Sequence, residues 1–364
     1  MKVALLYGGP SAEHTVSVHS AQNVEKILHK LGHHVIDIAI DLNGHWFLQK
    51  GPVDEHFSTE ADVDIHPGEG LFADGKKLEV DVAFPVTHGH GGEDGLLQGL
   101  CALAYIPLAS TDTLSSSVMM YKSIAQRLFS SAGIPTIPTY VIEGETIKEC
   151  ENEDEWGELL LTCRKTCGPS LFVKPEDGGS SIGVTPLDDP DEESFSEAVL
   201  LARNYGERVM VQQLVKPMCE VECALLEDPS WGLVCSPPAL VVNPTKEKAK
   251  YLTYATKYAL SGGDSLLCPA PIPTADQLTI MSYAKTAFAV GKCHLYARVD
   301  FFYNDGHIWI NEVNTLPGLT LTSHYPVLIA QNGYTMEQVV AILLDDALEQ
   351  YRKSLEKTYI PPVS

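Results

Sequence analysis

Val3 to Tyr7 form an unbroken apolar run that stops at Gly8-Gly9-Pro10, and beyond it Val24, Ile27, Leu28 and Leu31 recur along one helical face. Gly32 ends that helix. Apolar runs from His34 to Ile40 and from Val80 to Val86 then read as a second and a third strand. Strand, helix and strand in this order imply a parallel sheet. The stretch from 43 to 78 between them, rich in Gly, Asp and His, reads as an irregular insertion or small hairpin without chemistry.

Further on, Ser117 to Gly133 reads as one amphipathic helix that carries Lys122, with Ile124, Ala125, Leu128 and Phe129 apolar. The acidic Glu143 to Glu158 reads as a linker or helix start. A strand from Leu171 to Lys174 runs into the loop Pro175 to Gly183, and strand character returns at Val209 to Val215 and near Glu220 to Leu226. Thr335-x-x-Gln338 is a capping box opening a helix through Leu344 and Leu348. At 364 residues the chain exceeds one simple core and implies two or three domains.

The most chemically pointed segment is Arg298-Val-Asp300, followed by Asn311-Glu312-Val-Asn314. Side chains two apart share a face of a strand, so Arg298 aligns with Asp300 and Glu312 with Asn314. Two carboxylates and an amide suit Mg²⁺, which takes oxygen ligands from few side chains and shares the rest with phosphate. Asp305-Gly306 marks a hairpin between the two runs. A two-residue turn there would pair Asp300 with Asn311; a three-residue loop, Asp305 to His307, would pair Asp300 with Glu312 and Arg298 with Asn314. The second is expected, because only it lets one ion touch both strands.

The net charge, 25 basic against 48 acidic residues or -23, argues against nucleic acid or an anionic membrane as partner. Bound phosphate must then be neutralised locally. Lys174, at a strand end before Gly178-Gly179-Ser180-Ser181-Ile-Gly183, offers a cation and backbone N–H groups, though the order is not that of a P-loop. Gly8-Gly9-Pro-Ser11-Ala-Glu13-His14, at a helix start, combines an anion-attracting terminus with a carboxylate, which suits a zwitterion. A tight turn or a dinucleotide loop are its other readings, the latter without G-x-G-x-x-G.

His88-Gly-His90-Gly-Gly-Glu93-Asp94-Gly95 follows the third strand, with Glu93 as an internal hydrogen-bond anchor or its acids and histidines as metal ligands. Tyr254-Ala-Thr-Lys257-Tyr258 reads as a surface turn or as a lid that brings a cation to phosphate. Nine scattered cysteines without C-x₂-C spacing read as reduced thiols of a cytoplasmic protein, and no run approaches 18 apolar residues.

Taken in order, the motifs Gly8 to Ser17, His88 to Gly99, Val173-Lys174-Pro with Gly179 to Gly183, Lys257-Tyr258, Arg298-x-Asp300 and Asn311 to Gly318 resemble those of the D-alanine:D-alanine ligases, within the ATP-grasp proteins. The resemblance covers essentially the whole chain. It implies an α/β fold, α+β in the ATP-grasp part, with three domains: an N-terminal parallel-sheet domain at 1–114, a central one at 115–215 and a C-terminal one at 216–364 with nucleotide held between the last two. The implied partners are D-alanine, ATP and a second copy of the chain in a homodimer.

By the same resemblance Lys122 and Lys174 contact ATP phosphates, Ser180 and Ser181 lie over them, and Lys257 reaches the γ-phosphate. Asp300, Glu312 and Asn314 hold two Mg²⁺ ions, which Mn²⁺ can replace. Glu13 holds the first D-alanine's ammonium, Ser323 the second's carboxylate, and His88 lies with them; Tyr258 and Ser180 bond with Glu13 to close the site. Arg298 and the Gly318 N–H stabilise the oxyanion.

Three positions depart from the family pattern. Gln213 stands where an acid usually precedes the adenine contact, with Val215 beside it; Tyr121 replaces an Asp before Lys122; and the Lys216 to Glu220 stretch is atypical. That leaves Glu220 or Glu222 to meet ribose.

Overall fold

A computed structural model describes residues 1–150, 152–242 and 265–357. It begins with β1 (Lys2–Gly8), α1 (His14–Lys30), β2 (His34–Ile40), β3 (Trp46–Gln49), β4 (Thr59–His66), β5 (Gly70–Ala73), β6 (Lys76–Lys77) and β7 (Val82–Pro85). These seven strands make one sheet in the order β6-β5-β4-β3-β2-β1-β7. Only β2-β1-β7 are parallel; β3 to β6 add an antiparallel extension, so residues 43 to 78 are a four-stranded meander rather than an irregular insertion. Alternation in β1 divides the sheet's two faces: Val3, Leu5 and Tyr7 join the α1 side, and Ala4 and Leu6 the other.

The chain continues through α2 (Leu96–Leu103), α3 (Thr113–Met120), α4 (Lys122–Ser131), β8 (Thr139–Ile142), α5 (Gly144–Glu149), α6 (Glu153–Cys167), β9 (Leu171–Pro175), β10 (Thr185–Leu187), α7 (Glu192–Arg203) and β11 (Val209–Gln213). The expected single helix from Ser117 to Gly133 is two helices, broken where Tyr121 adopts φ -81°, ψ 91°. The Lys122 N–H there donates to the Glu176 carbonyl at 3.3 Å, a partner from outside the helix that redirects the chain. The acidic stretch forms α5 and α6, and Asn152 with Glu155 closes a capping box. Strands β10-β9-β11-β8 form an all-antiparallel second sheet, packed on α6 and α7.

Beyond it lie β12 (Cys219–Asp228), β13 (Gly232–Cys235), β14 (Ala239–Val242), β15 (Ser265–Leu267), α8 (Thr274–Val290), β16 (Tyr296–Asn304), β17 (His307–Asn314), α9 (His324–Ile329) and α10 (Met336–Leu355). The third sheet runs β15-β14-β12-β16-β17, with β13 on β12. Its core takes Ala125 and Phe129 from α4 and Ala284 and Phe288 from α8, while Val339, Val340 and Leu343 of α10 pack with α1 in the core of the first sheet. Thr335 and Gln338 form the expected capping box of α10. No single described helix is long and apolar enough to cross a membrane.

Under α1, Asp37 of β2 sits beside Tyr7, and Asp37 Oδ1 and the Tyr7 hydroxyl are buried without a hydrogen-bond partner. Burial, reinforced by Glu25, raises the Asp37 carboxyl to about 7. In the unfolded chain it ionises near the ordinary 3.8, so between those values only the unfolded state releases the proton and stability falls as pH rises. Asp37→Asn removes that penalty. Thermal melts should place the variant further above the unaltered protein at pH 8 than at pH 5; a pH-independent gap would contradict the assignment.

Candidate active site

The hairpin β16–β17 sets the site, and its geometry differs from the expected loop. Asn304 pairs with His307 across a two-residue turn, with Asp305 and Gly306 at φ 41° and 84°, the left-handed pair of a tight hairpin. The pairing Asp300–Glu312 and Arg298–Asn314 is nonetheless present, because the register shifts between Asp300 and Phe301. A β-bulge, with Asn311 as its extra residue, does what the three-residue loop was expected to do. Ile310 and Val313 both enter the core, leaving Asn311 and Glu312 together on the opposite face.

Facing them across a cleft are Lys174 of β9, Lys122 at the start of α4, and the loop Gly178 to Ile182. Lys174 Nζ lies 3.2 Å from Asn311 Oδ1, and Lys122 Nζ 3.2 Å from Glu312 Oε2. Burial, with Lys122 adding repulsion, lowers the Lys174 ammonium to about 7 despite Glu312 and Glu220. Two ammonium groups lining one buried cleft repel each other, and an anion bound between them would favour the charged form of both. Phe172, Met218 and Phe302 supply an apolar wall. Phe172 and Phe302 stand two residues from Lys174 and Asp300, so strand alternation alone points them at the cleft.

The glycine-serine loop is tied down at its start. Glu176, 1% exposed, accepts from Ser123 Oγ and meets Arg208 Nε at 3.1 Å, while Lys122 Nζ donates to the Gly178 carbonyl. Ser180 and Ser181 take φ 49° and 57°, a left-handed conformation that costs non-glycine residues free energy and is retained mainly at functional sites. Ser180 Oγ donates to Glu13 Oε1, which joins this loop to the start of α1. A Cβ on Gly179 would lie 3.1 Å from Glu13 Oε2, and one on Gly89 3.2 Å from it, so a side chain on either loop would crowd that carboxylate, and Gly89 at φ +71° also favours glycine.

Gly8 has the same kind of constraint. At φ +89°, its added Cβ would stand 2.2 Å from the Ile40 carbonyl oxygen, which accepts the Gly9 N–H at 2.8 Å. Gly8→Ala should therefore destabilise by about 1–3 kcal/mol, read as a shifted denaturant midpoint at unchanged slope; an unmoved midpoint would contradict it.

His88 is buried beside Glu93, with Nδ1 to Oε1 at 3.7 Å, and the Gly89 N–H donates to Glu93 Oε2 at 2.9 Å. Glu93 is thus the loop anchor. Burial opposes a charge on His88, but Glu93 and Glu13 outweigh it and raise its pKa; its Nε2 is buried without a partner. Among the described residues no three His, Cys, Asp or Glu side chains converge as a metal centre, in this loop or elsewhere.

At the far end, Arg298 donates Nε and Nη2 to the two Asp300 oxygens at 2.8 Å each, and Asn314 Nδ2 donates to Asp300 Oδ2 at 3.0 Å. Burial raises the Asp300 carboxyl although Arg298 pulls it down, and Asp300 and Glu222 hold Arg298 protonated. Glu222 is engaged here, while Glu220 lines the cleft. Ser323 stands at the N-cap position of α9 with its Oγ turned to Thr320, and a Cβ on Gly318 would lie 2.8 Å from that Oγ. Gln213 is exposed at the end of β11, and neither it nor Val215 lines the described cleft. Lys257 and Tyr258 lie outside the described residues.

A parallel-stranded first sheet, followed by two antiparallel sheets meeting over a lysine-lined cleft, is the ATP-grasp architecture. Family models described as the N-terminus and the C-terminus of D-ala D-ala ligase match residues 2–111 and 128–345. A D-alanine--D-alanine ligase of Corynebacterium glutamicum is 33% identical, over 96% of this chain and 97% of its own. The D-alanine-D-alanine ligase structure from Coxiella burnetii superposes with a TM-score of 0.80 at 25% identity, covering 98% of this chain and 96% of that one. VanG D-Ala:D-Ser ligase from Enterococcus faecalis gives 0.78 at 29%, covering 96% and 99%. The chain belongs to the D-alanine--D-alanine ligase family and is a ligase.

Proposed function

We propose that the protein joins two D-alanine molecules with ATP, through an acyl phosphate, to supply peptidoglycan precursors. The observation that carries this is the arrangement of Lys122, Lys174, Asn311 and Glu312 around one cleft, with Ser180 of its glycine-serine loop bonded to Glu13. A polyphosphate belongs among the lysines, and an ammonium belongs at Glu13.

The donor set also fits a divalent cation. Asp300, Glu312 and the Asn314 amide offer hard oxygens, and two of them already hold cationic nitrogens: Lys122 3.2 Å from Glu312 and Arg298 2.8 Å from Asp300. Asp300, Glu312 and Asn314 would hold Mg²⁺, or Mn²⁺ in its place, which when bound neutralises charge on the transferring phosphoryl group. The lysines position the triphosphate while the first carboxylate attacks the γ-phosphorus, the β–γ bridging bond breaks and ADP leaves. Arg298 and the Gly318 N–H then meet the oxyanion formed as the second amine attacks the acyl carbonyl, and phosphate leaves. Lys257 and Tyr258 are proposed to close over the site and exclude water from the acyl phosphate.

In this reading Glu220 meets the ribose from the cleft wall, Gln213 and Val215 the adenine, and Ser323 with His88 the second D-alanine. The domain bounds 1–114, 115–215 and 216–364, a homodimer and a cytoplasmic location belong to the same reading. The similarity to a D-Ala:D-Ser ligase supports a second one, a mixed dipeptide or D-alanyl-D-lactate product. Incubation with ATP, D-alanine and competing D-serine or D-lactate, with products identified by mass, decides between them. D-alanyl-D-alanine as main product is expected; its absence refutes the proposal.

A further inference from the structure

His324 has no part in the chemistry just described, yet it sits in its most highly charged corner. It opens α9 directly after Ser323, its side chain is 18% exposed, and its Nδ1 lies 2.8 Å from Glu222 Oε2. The same Glu222 oxygen lies 3.3 Å from Nε of Arg298, whose fork is closed on Asp300. Four side chains from α9, β12 and β16 are thereby joined in one buried chain.

Strand register explains why that chain needs its fourth member. Glu222 is directly opposite Asp300 across β12 and β16, on one face of the sheet. Like charges so placed repel, and both carboxylates are buried, Glu222 at 4% and Asp300 at 9% exposed. Arg298 is shared between the two carboxylates, at 2.8 Å from Asp300 and 3.3 Å from Glu222. It also prefers the bidentate grip of Asp300, so Glu222 by itself is a weak second anchor. The His324 imidazole approaches Glu222 from the helix side and offers it a donor at 2.8 Å; burial disfavours its charged form, but Glu222 reverses that balance and raises its pKa.

We propose that His324 is a positioning residue, which holds the Glu222 carboxylate against Nε of Arg298 and so fixes the orientation of the guanidinium that meets the oxyanion. The proposal rests on the ligase reading. Arg298 is flanked by Asp300, one of the groups proposed to take the cation, and by Glu222, which His324 also holds. A fixed second anchor keeps the guanidinium in place when the first is recruited elsewhere, and small misplacements of such a group are costly.

The test compares His324→Phe, which removes the donor, with His324→Asn, which returns an amide N–H close to the Nδ1 position. His324→Phe should lower kcat by about 10²-fold with KM for ATP unchanged, and His324→Asn should recover most of the loss. The double variant His324→Phe/Glu222→Gln should be no slower than the slower single variant, because the two residues act as one unit. Full kcat in His324→Phe, or losses that multiply in the double variant, overturns the proposal. A readout independent of turnover is the His324 imidazole resonance in isotope-labelled protein without substrate. Its titration should shift to lower pH in Glu222→Gln, and an unchanged titration also overturns the proposal. Should the unaltered protein form no D-alanyl-D-alanine, the ligase reading fails, whereas the resonance still reports whether His324 is held by Glu222.

Discussion

Asp300→Asn is expected to lower turnover by roughly 10³-fold while leaving the chain folded. Asp300 is buried and accepts three hydrogen bonds, two from Arg298 and one from Asn314. An amide keeps its shape but loses the charge, accepts through one atom only, and is a far poorer partner for a divalent cation. Several kcal/mol of transition-state stabilisation at about 1.4 kcal/mol per tenfold gives the stated loss. The fold survives because Arg298 still meets Glu222 at 3.3 Å. The guanidinium is not left as an uncompensated buried charge, the case that costs about 3–5 kcal/mol. Phosphate release with saturating ATP and D-alanine, beside a thermal melt of the same preparation, separates the two effects. Turnover within tenfold of the unaltered protein, with a normal melt, would remove Asp300 from the reaction.

The hairpin that carries Asp300 shows how far the sequence could be read. Asp-Gly between apolar runs announces a tight turn, and Asp305 and Gly306 adopt the left-handed conformations such a turn requires. That Asp300 should face Glu312 was also legible, from the demand that one ion touch both strands. The two demands conflict by one residue, and the chain resolves them with a bulge at Asn311, which no local composition signals. The break at Tyr121 was hidden for a related reason: it depends on the Glu176 carbonyl, distant in sequence. His324 and Glu222 are 102 residues apart and share no spacing, so their contact is a property of the assembled sheet and helix. By contrast the parallel strands β1, β2 and β7, the glycine-serine loop and its lysine all follow from local pattern. The meander at 43 to 78 lay between: its Ala61, Val63 and Ile65 alternate, but pairing with the edge at β2 is non-local.

Lys174→Met is expected to weaken ATP-dependent turnover by about 10²-fold at limiting ATP, through lost charge-assisted contact with phosphate. The substitution should not unfold the protein, because Lys174 is 5% exposed and methionine fills similar volume without a charge to desolvate. The lysine's own titration gives a sharper signature. Burial and Lys122 lower it to about 7 in the unliganded protein, so at pH 8 most molecules carry it neutral and at pH 6 most carry it charged. A triphosphate favours the ammonium form, so ATP binding at pH 8 must draw a proton from solution, and at pH 6 it need not. Calorimetric titrations in two buffers of different ionisation enthalpy measure that uptake directly. Uptake should be present at pH 8, shrink toward pH 6, and vanish in Lys174→Met. Equal uptake in the variant would place the titrating group elsewhere and free Lys174 from the phosphates. Its disappearance, with binding weakened but retained, would tie the bulge at Asn311, which holds Lys174 at 3.2 Å, to nucleotide binding.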